Sequence, residues 1–177
     1  MRIISGKYRH IKLKPPKNLP VRPTTDKTKE SVFNMLMSYV DFEESVALDL
    51  FAGTGNMTFE FLSRGCKNVY AVEQNPKAVD YIRELARNYG IKNLDVFKSD
   101  VFGFIEKHSG PYDLIFADPP YNMEQIDRVP RMVLDNELLN KDGWMLIEHS
   151  KDYDLSAIEN FHQERKYGRT RISVFRK

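Results

Sequence analysis

The chain has one cysteine, Cys66, among 177 residues. No intrachain disulfide can form, and a reducing compartment is expected. It has no run of about 18 apolar residues, the length a membrane helix needs. The N-terminus lacks the apolar stretch of a signal peptide. A cytoplasmic protein without membrane contact is the expectation. The four histidines, His10, His108, His149 and His162, are scattered and lack the spacing of metal ligands, so no metal is expected. No internal repeat or low-complexity tract occurs. The length suits one domain with a short appendage, at about 150 residues per domain.

Acidic residues are missing from both ends. Residues 1–22 carry seven cations, Arg2, Lys7, Arg9, Lys12, Lys14, Lys17 and Arg22, and no acid. Residues 165–177 carry six, Arg165, Lys166, Arg169, Arg171, Arg176 and Lys177, again with no acid. The net charge of +2 therefore hides an acidic body between two basic ends. Such ends suit a polyanion. Tyr8 among the cations suits phosphate contact combined with base stacking. Arg2–His10 and Ile11–Lys14 read as two short strands around Gly6 and Lys7, closed by Pro15, Pro16 and Pro20. This gives a basic N-terminal hairpin over 1–22 and a main domain over 23–177.

Strands and helices alternate through the main domain. Helical spacing of Val32, Phe33, Leu36 and Met37 predicts a helix over 27–39, which Thr24, Thr25 or Asp26 can cap. Apolar runs predict strands at 46–51, 68–72, 94–97, 112–117 and 143–148. Helices are expected after the first four, the last over 125–139. Residues 161–167 and 170–175 read as a closing antiparallel pair turned at Gly168 and Arg169. Alternation of this kind means a parallel α/β sheet with crossovers.

Two stretches carry chemistry. Asp118-Pro119-Pro120-Tyr121 follows the strand over 112–117. Two prolines stop the sheet ladder and hold an acid and an aromatic ring on a stiff turn at the strand's carboxyl end. That edge is where open α/β sheets bind ligands. The second stretch, Asp49-Leu50-Phe51-Ala52-Gly53-Thr54-Gly55, is strand, glycine turn and helix start in sequence. It is the arrangement of nucleotide-cofactor sites, where glycines let backbone approach a ligand. The third glycine of the dinucleotide fingerprint would fall at Thr58, so a cofactor without a pyrophosphate fits better. Glu73 lies 20 residues after Gly53, the spacing at which an acid reaches ribose hydroxyls. Glu73 also stands where it could cap the next helix. Asp100 could cap the helix after the third strand or accept a bond from an adenine amino group. Arg22, just before the first helix, is a candidate ligand-facing cation.

The glycine turn and Asp118-Pro119-Pro120-Tyr121 together resemble S-adenosylmethionine-dependent amino-methyltransferases. Three further stretches narrow the resemblance: Arg2-Ile3-Ile4-Ser5-Gly6, Arg22-Pro23-Thr24-Thr25-Asp26 and Glu30-Ser31-Val32-Phe33-Asn34. With Leu62-Ser63-Arg64-Gly65 they are similar to the RsmD-type 16S ribosomal RNA (guanine-N2) methyltransferases, over nearly the whole chain. The resemblance implies a Rossmann-like class I methyltransferase fold. Its sheet is seven-stranded and mostly parallel, with an antiparallel last strand. It implies that Asp49 and Phe51, Ala52, Gly53, Thr54 and Gly55 hold the methionine part of S-adenosylmethionine. Glu73 would bind the ribose hydroxyls and Asp100 the adenine amino group, with Gln74 and Val101 also at the cofactor. Asp118, Pro119, Pro120 and Tyr121 would form the catalytic element. Arg2, Lys7, Arg9, Lys12 and Arg22 would meet RNA. The implied partner is 16S ribosomal RNA in a small-subunit particle, and the protein would act as a monomer without metal.

The chemistry follows from the acceptor. A guanine amine is a weak nucleophile because its lone pair is delocalised into the ring. A carboxylate at Asp118 and the Pro119 carbonyl can accept its two N–H bonds and favour a pyramidal nitrogen. Tyr121 would stack on the base, turned out of its helix at a cost of roughly a few kcal/mol. The alternatives are a DNA adenine amino-methyltransferase, a non-catalytic RNA-binding assembly factor and an NAD oxidoreductase. Limited room for a target-recognition domain counts against the first. The intact Asp118 and glycine turn count against the second, and Thr58 against the third.

Overall fold

The structure, a computed structural model, describes residues 2–16, 19, 26–120 and 122–177. Its helices are α1 (Asp26–Leu36), α2 (Asn56–Ser63), α3 (Pro76–Asn88), α4 (Val101–Lys107) and α5 (Arg128–Asp135). Its strands are β1 (Val46–Leu50), β2 (Asn68–Glu73), β3 (Leu94–Lys98), β4 (Tyr112–Ala117), β5 (Leu139–Ser150), β6 (Phe161–Tyr167) and β7 (Thr170–Arg176). The seven strands form one sheet in the order β3-β2-β1-β4-β5-β7-β6. β1 to β5 pair in parallel, and β7 runs antiparallel to both β5 and β6. This is the class I methyltransferase sheet that the sequence implied.

Side chains alternate across the pleat, so a sheet covered on both faces needs apolar residues at nearly every central position. On β4, Leu114 and Phe116 join a core beneath α1, α2 and α3, while Ile115 and Ala117 join a second core beneath α4 and α5. β5 repeats the pattern, with Trp144 and Leu146 on one side and Met145 and Ile147 on the other.

Two elements differ from expectation. The helix expected over 125–139 stops at Asp135. Glu137 takes a left-handed φ of 54°, and Leu138 is then buried, its carbonyl accepting from Tyr112 N at 2.8 Å. Leu139 already belongs to β5, which is longer than expected at 12 residues. The apolar pair Leu138-Leu139, read as a helix face, serves the sheet instead. The N-terminal hairpin closes through one antiparallel bridge, Arg2 to Lys12, and not through two paired strands.

Side chains and tight backbone contacts hold that hairpin down. Ile3 and Leu13 are each only 2% exposed and join the core beneath α2. Ile4 N donates to Glu60 at 2.7 Å, Lys7 N to the Ser63 carbonyl at 2.7 Å and Tyr8 N to Ser63 Oγ at 2.9 Å. Gly6, at φ 80°, passes so near α2 that a Cβ there would lie 1.8 Å from the Ser63 carbonyl oxygen. Below the hairpin, Lys29 is fully buried. Its Nζ donates to the Arg2 carbonyl at 2.6 Å, to Asn56 at 3.0 Å and to Glu60 at 3.0 Å.

Candidate active site

Strand order reverses between β1 and β4: β2 and β3 lie to one side, β4 and β5 to the other. At such a switch point the loops leaving neighbouring strands part and leave a crevice. A cavity of about 620 Å³ opens there, lined from the carboxyl ends of β1 through β5. Every strand end contributes an acid or its neighbour: Asp49 from β1, Glu73 from β2, Asp100 after β3, Asp118 after β4 and Glu148 from β5. Volumes of this order suit nucleotide-sized ligands.

The loop after β1 is bent by three left-handed residues: Phe51 at φ 63°, Gly53 at 57° and Gly55 at 78°. Gly55 N closes a turn on the Ala52 carbonyl at 2.8 Å. Phe51, Ala52, Gly53 and Thr54 all face the cavity, but Gly55 does not line it. A Cβ on Gly55 would press on the Phe59 ring at 2.9 Å and Ile82 Cγ1 at 3.2 Å, so this glycine permits α2 and α3 to pack. A Cβ on Gly53 would find only the Phe51 carbonyl oxygen, at 3.9 Å, within 4 Å. Backbone is therefore open to the cavity at Gly53.

Each acid has a different setting. Asp49 is 2% exposed and accepts from the Thr58 hydroxyl. Burial pushes its carboxyl up to about 7; the Thr58 bonds oppose the shift, and nearby Asp118 and Glu73 add to it. Thr58, where a dinucleotide site would have glycine, is thus a donor aimed at Asp49. Glu73 accepts from Gly53 N and from Asn75 N, each at 2.7 Å, and so ties the glycine turn to the loop after β2. It does not cap α3; Asn75 does, accepting from Lys77 N at 3.0 Å. Asp100 is the cap of α4, accepting from Gly103 N at 2.8 Å, and it also lines the cavity. Gln74 and Val101 line it as well. Asp118 is half-buried, Pro119 buried and Pro120 exposed, and all three border the cavity. Pro120 turns the chain by accepting from Met123 N at 2.9 Å, and Tyr153 pins this loop by donating to the Met123 carbonyl at 3.0 Å. Tyr121 and Arg22 lie outside the described residues.

Lys7, Arg9 and Lys12 are exposed on the docked hairpin. Arg2 is exposed too, but its guanidinium sits 2.8 Å from Asp26. The C-terminal cations divide between two edges. β7 starts beside the end of β5, Thr170 against Ser150, so Arg165, Lys166 and Arg169 stand exposed near the cavity mouth. Arg176 and Lys177 lie at the opposite edge, where Arg176 packs over Trp144 at 5.3 Å. Among the described residues no group of acids, histidines and cysteine could hold a metal. No described helix is long and apolar enough to cross a membrane.

Among the cavity residues that sequence reasoning missed are Asn56, Glu148 and Thr170. Glu148 could have been found, because it ends a predicted strand as Asp118 follows one. Asn56 and Thr170 carry no such signal.

Comparison with known proteins agrees with this geometry. The family model described as conserved hypothetical protein 95 matches residues 1–176. YlbH of Bacillus subtilis (strain 168) is 32% identical over 184 residues, spanning 100% of this chain and 99% of its own. The protein named ribosomal RNA small subunit methyltransferase D in Haemophilus influenzae is 29% identical over 165 residues, 91% of this chain and 84% of that one. Among solved structures, yhhF from Escherichia coli has the same fold at a TM-score of 0.89 and 23% identity, covering 100% of this chain and 97% of that chain. The chain belongs to this conserved hypothetical protein 95 family, the RsmD-type methyltransferases.

Proposed function

We infer that the chain transfers a methyl group from S-adenosylmethionine to the exocyclic N2 amine of one guanine in 16S ribosomal RNA, within a small-subunit particle in the cytoplasm. One observation carries the reading: a buried carboxyl suited to a cation, Asp49, and an acid on a rigid two-proline turn, Asp118, open into one cavity. The relatives named for ribosomal RNA methylation support the substrate class.

The residues present fit the methyl donor. The cavity is large enough, Gly53 leaves room for close approach, and Asp49 offers a carboxylate to the donor's α-ammonium. Glu73 keeps lone pairs beyond its two backbone bonds for ribose hydroxyls, since an ionised carboxylate has about four acceptor sites. Asp100 faces the adenine end. S-adenosylmethionine supplies a methyl already activated by its sulfonium. The chain's part is to place the amine, and positioning alone is worth up to about 7–11 kcal/mol. Asp118 and the Pro119 carbonyl accept the two amine N–H bonds. Charge developing on nitrogen is stabilised by the Asp118 carboxylate, which then takes the proton. Exposed Lys7, Arg9, Lys12, Arg165, Lys166 and Arg169 meet the RNA backbone.

The test is nucleoside mass spectrometry after reaction with small-subunit particles, naked 16S RNA and duplex DNA in parallel. N2-methylguanosine is expected from RNA, most from particles. Methyladenine in the DNA sample with nothing on RNA guanine would overturn the reading. In the same assay, Lys166→Glu with Arg169→Glu should raise KM for particles and flatten its salt dependence, by roughly 0.7–0.9 in log–log slope per lost contact.

Asp49 makes the reading sensitive to pH. Its ligand-free carboxyl has a pKa raised to about 7, so it is largely protonated below that pH. An ammonium ligand needs the ionised form. Affinity for S-adenosylhomocysteine should therefore rise with pH, about tenfold per unit at most, up to about 7 and level off above. Stability of the ligand-free chain runs the other way. The raised pKa means the folded state holds a proton that the unfolded state releases, so stability falls between about pH 4 and 7 and is flat above. Calorimetry across pH 5.5–8.5 checks the affinity. A flat profile would show that Asp49 meets no cationic group.

A further inference from the structure

Glu148 lies near the carboxyl end of β5, beside Asp118. Ala117 of β4 and Ile147 of β5 are register partners, so the residues that follow them, Asp118 just past β4 and Glu148 still within β5, stand side by side. Adjacent strands lie about 4.8 Å apart. Glu148 is 7% exposed and borders the cavity at its Asp118 end. It also borders a small adjoining cavity that Asp118, Pro119, Met123 and Tyr153 share. Two acids of different reach thus face one space.

An amine held at Asp118 and Pro119 is one group on a purine edge. In guanine its neighbour on that edge is N1–H, a second donor, one ring atom away. In adenine the neighbour of the amine is N1 with a lone pair, an acceptor. A buried carboxylate binds a donor and disfavours an acceptor, because little water remains to screen the mismatch. A carboxylate on the strand next to Asp118, one methylene longer, is where an N1–H reader would have to be.

We propose that Glu148 selects guanine by accepting the N1–H of the base whose N2 amine meets Asp118. This rests on the proposed methyl transfer to guanine and adds to it the residue that reads the base. Glu148 touches the base but no transferred atom, so its effect falls on the choice of substrate and on KM.

The experiment compares guanine with 2-aminopurine, which keeps the 2-amine but carries a lone pair at N1. The methylated guanine is first located in 16S RNA by mapping. RNA with 2-aminopurine at that position is then ligated, assembled into particles and assayed beside unsubstituted particles. The wild-type chain should prefer guanine at least tenfold in kcat/KM. Glu148→Gln replaces one acceptor oxygen by a donor of the same shape. It should lose guanine activity tenfold or more while keeping or gaining activity on 2-aminopurine, so that the preference narrows or inverts. Unchanged S-adenosylhomocysteine affinity shows that the variant is folded. Comparing the two ratios removes the intrinsic difference in amine reactivity. Equal loss on both bases, or no wild-type preference, would overturn the role of Glu148 and leave the guanine reading standing. No N2-methylguanosine from wild type on unsubstituted particles would overturn both.

Discussion

Asp118→Ala is expected to lower kcat by about 10²–10⁴-fold, the usual worth of a positioned acid–base group. Its affinity for S-adenosylhomocysteine at pH 8 should stay within about twofold. The separation follows from geometry. Asp118 stands after β4, across the switch point from the glycine turn, and its proposed partner is the acceptor amine. The turn keeps Pro119, Pro120 and the Pro120–Met123 bond in this variant. One small coupling is expected. Asp118 helps to raise the Asp49 pKa, so its removal should ease Asp49 ionisation and slightly strengthen ligand binding near pH 6. Asp118→Asn should behave similarly, since an amide cannot take the proton. Single-turnover kinetics with saturating particles, paired with calorimetry, separates the two quantities. Turnover near that of wild type would mean that Asp118 only ends β4.

Much of this site was legible because strand ends announce themselves. Apolar runs that stop at an acid or a proline place that residue at the sheet edge, and Asp49, Glu73, Asp100 and Asp118 all lie there. Glu148 obeys the same rule but lacks prolines after it, so it passed unnoticed. The role of Gly55 was less legible. A glycine in a turn looks the same whether it admits a ligand or a neighbouring helix, and only the Phe59 and Ile82 contacts tell them apart. Thr58 was read as a missing glycine, whereas its hydroxyl holds Asp49. Glu73 and Asp100 show that one carboxylate can fix a loop or cap a helix and still border the cavity. The α5 boundary was misjudged because Leu138-Leu139 suits a helix face and a strand equally. The left-handed residue that separates them, Glu137, has no propensity signal.

The basic N-terminus shows where charge counting alone misleads. Seven cations without an acid suggest a basic hairpin made for a polyanion, but Ile3 and Leu13 are core residues and the hairpin rests on Glu60. Glu60 is fully buried at the meeting point of Ile4 N, Lys29 and Arg64, at 2.7, 3.0 and 3.6 Å. Arg64 in turn packs over the Phe33 ring at 4.1 Å. Removing one member of such a cluster leaves an uncompensated charge in low dielectric, at a cost of about 3–5 kcal/mol. Glu60→Ala should therefore lower the melting temperature by roughly 6–20 °C, at about 2–4 °C per kcal/mol for a chain of this size. Replacing both partners by apolar residues of similar volume, Lys29→Met with Glu60→Leu, should recover part of the loss, because the fully buried Lys29 charge is then no longer stranded. It should not recover all of it, since Ile4 N and the Arg2 carbonyl lose their partners and Arg64 loses its anion. The loss should reach the cofactor site as well. Asn56 accepts from Lys29 and lines the cavity, so weaker S-adenosylhomocysteine binding should accompany the lower melting point in both variants. Thermal melts with and without ligand measure both effects. A Glu60→Ala protein melting within a degree of the parent would show that the cluster contributes nothing to stability and that Ile3, Leu13 and the bonds to Ser63 suffice to hold the hairpin.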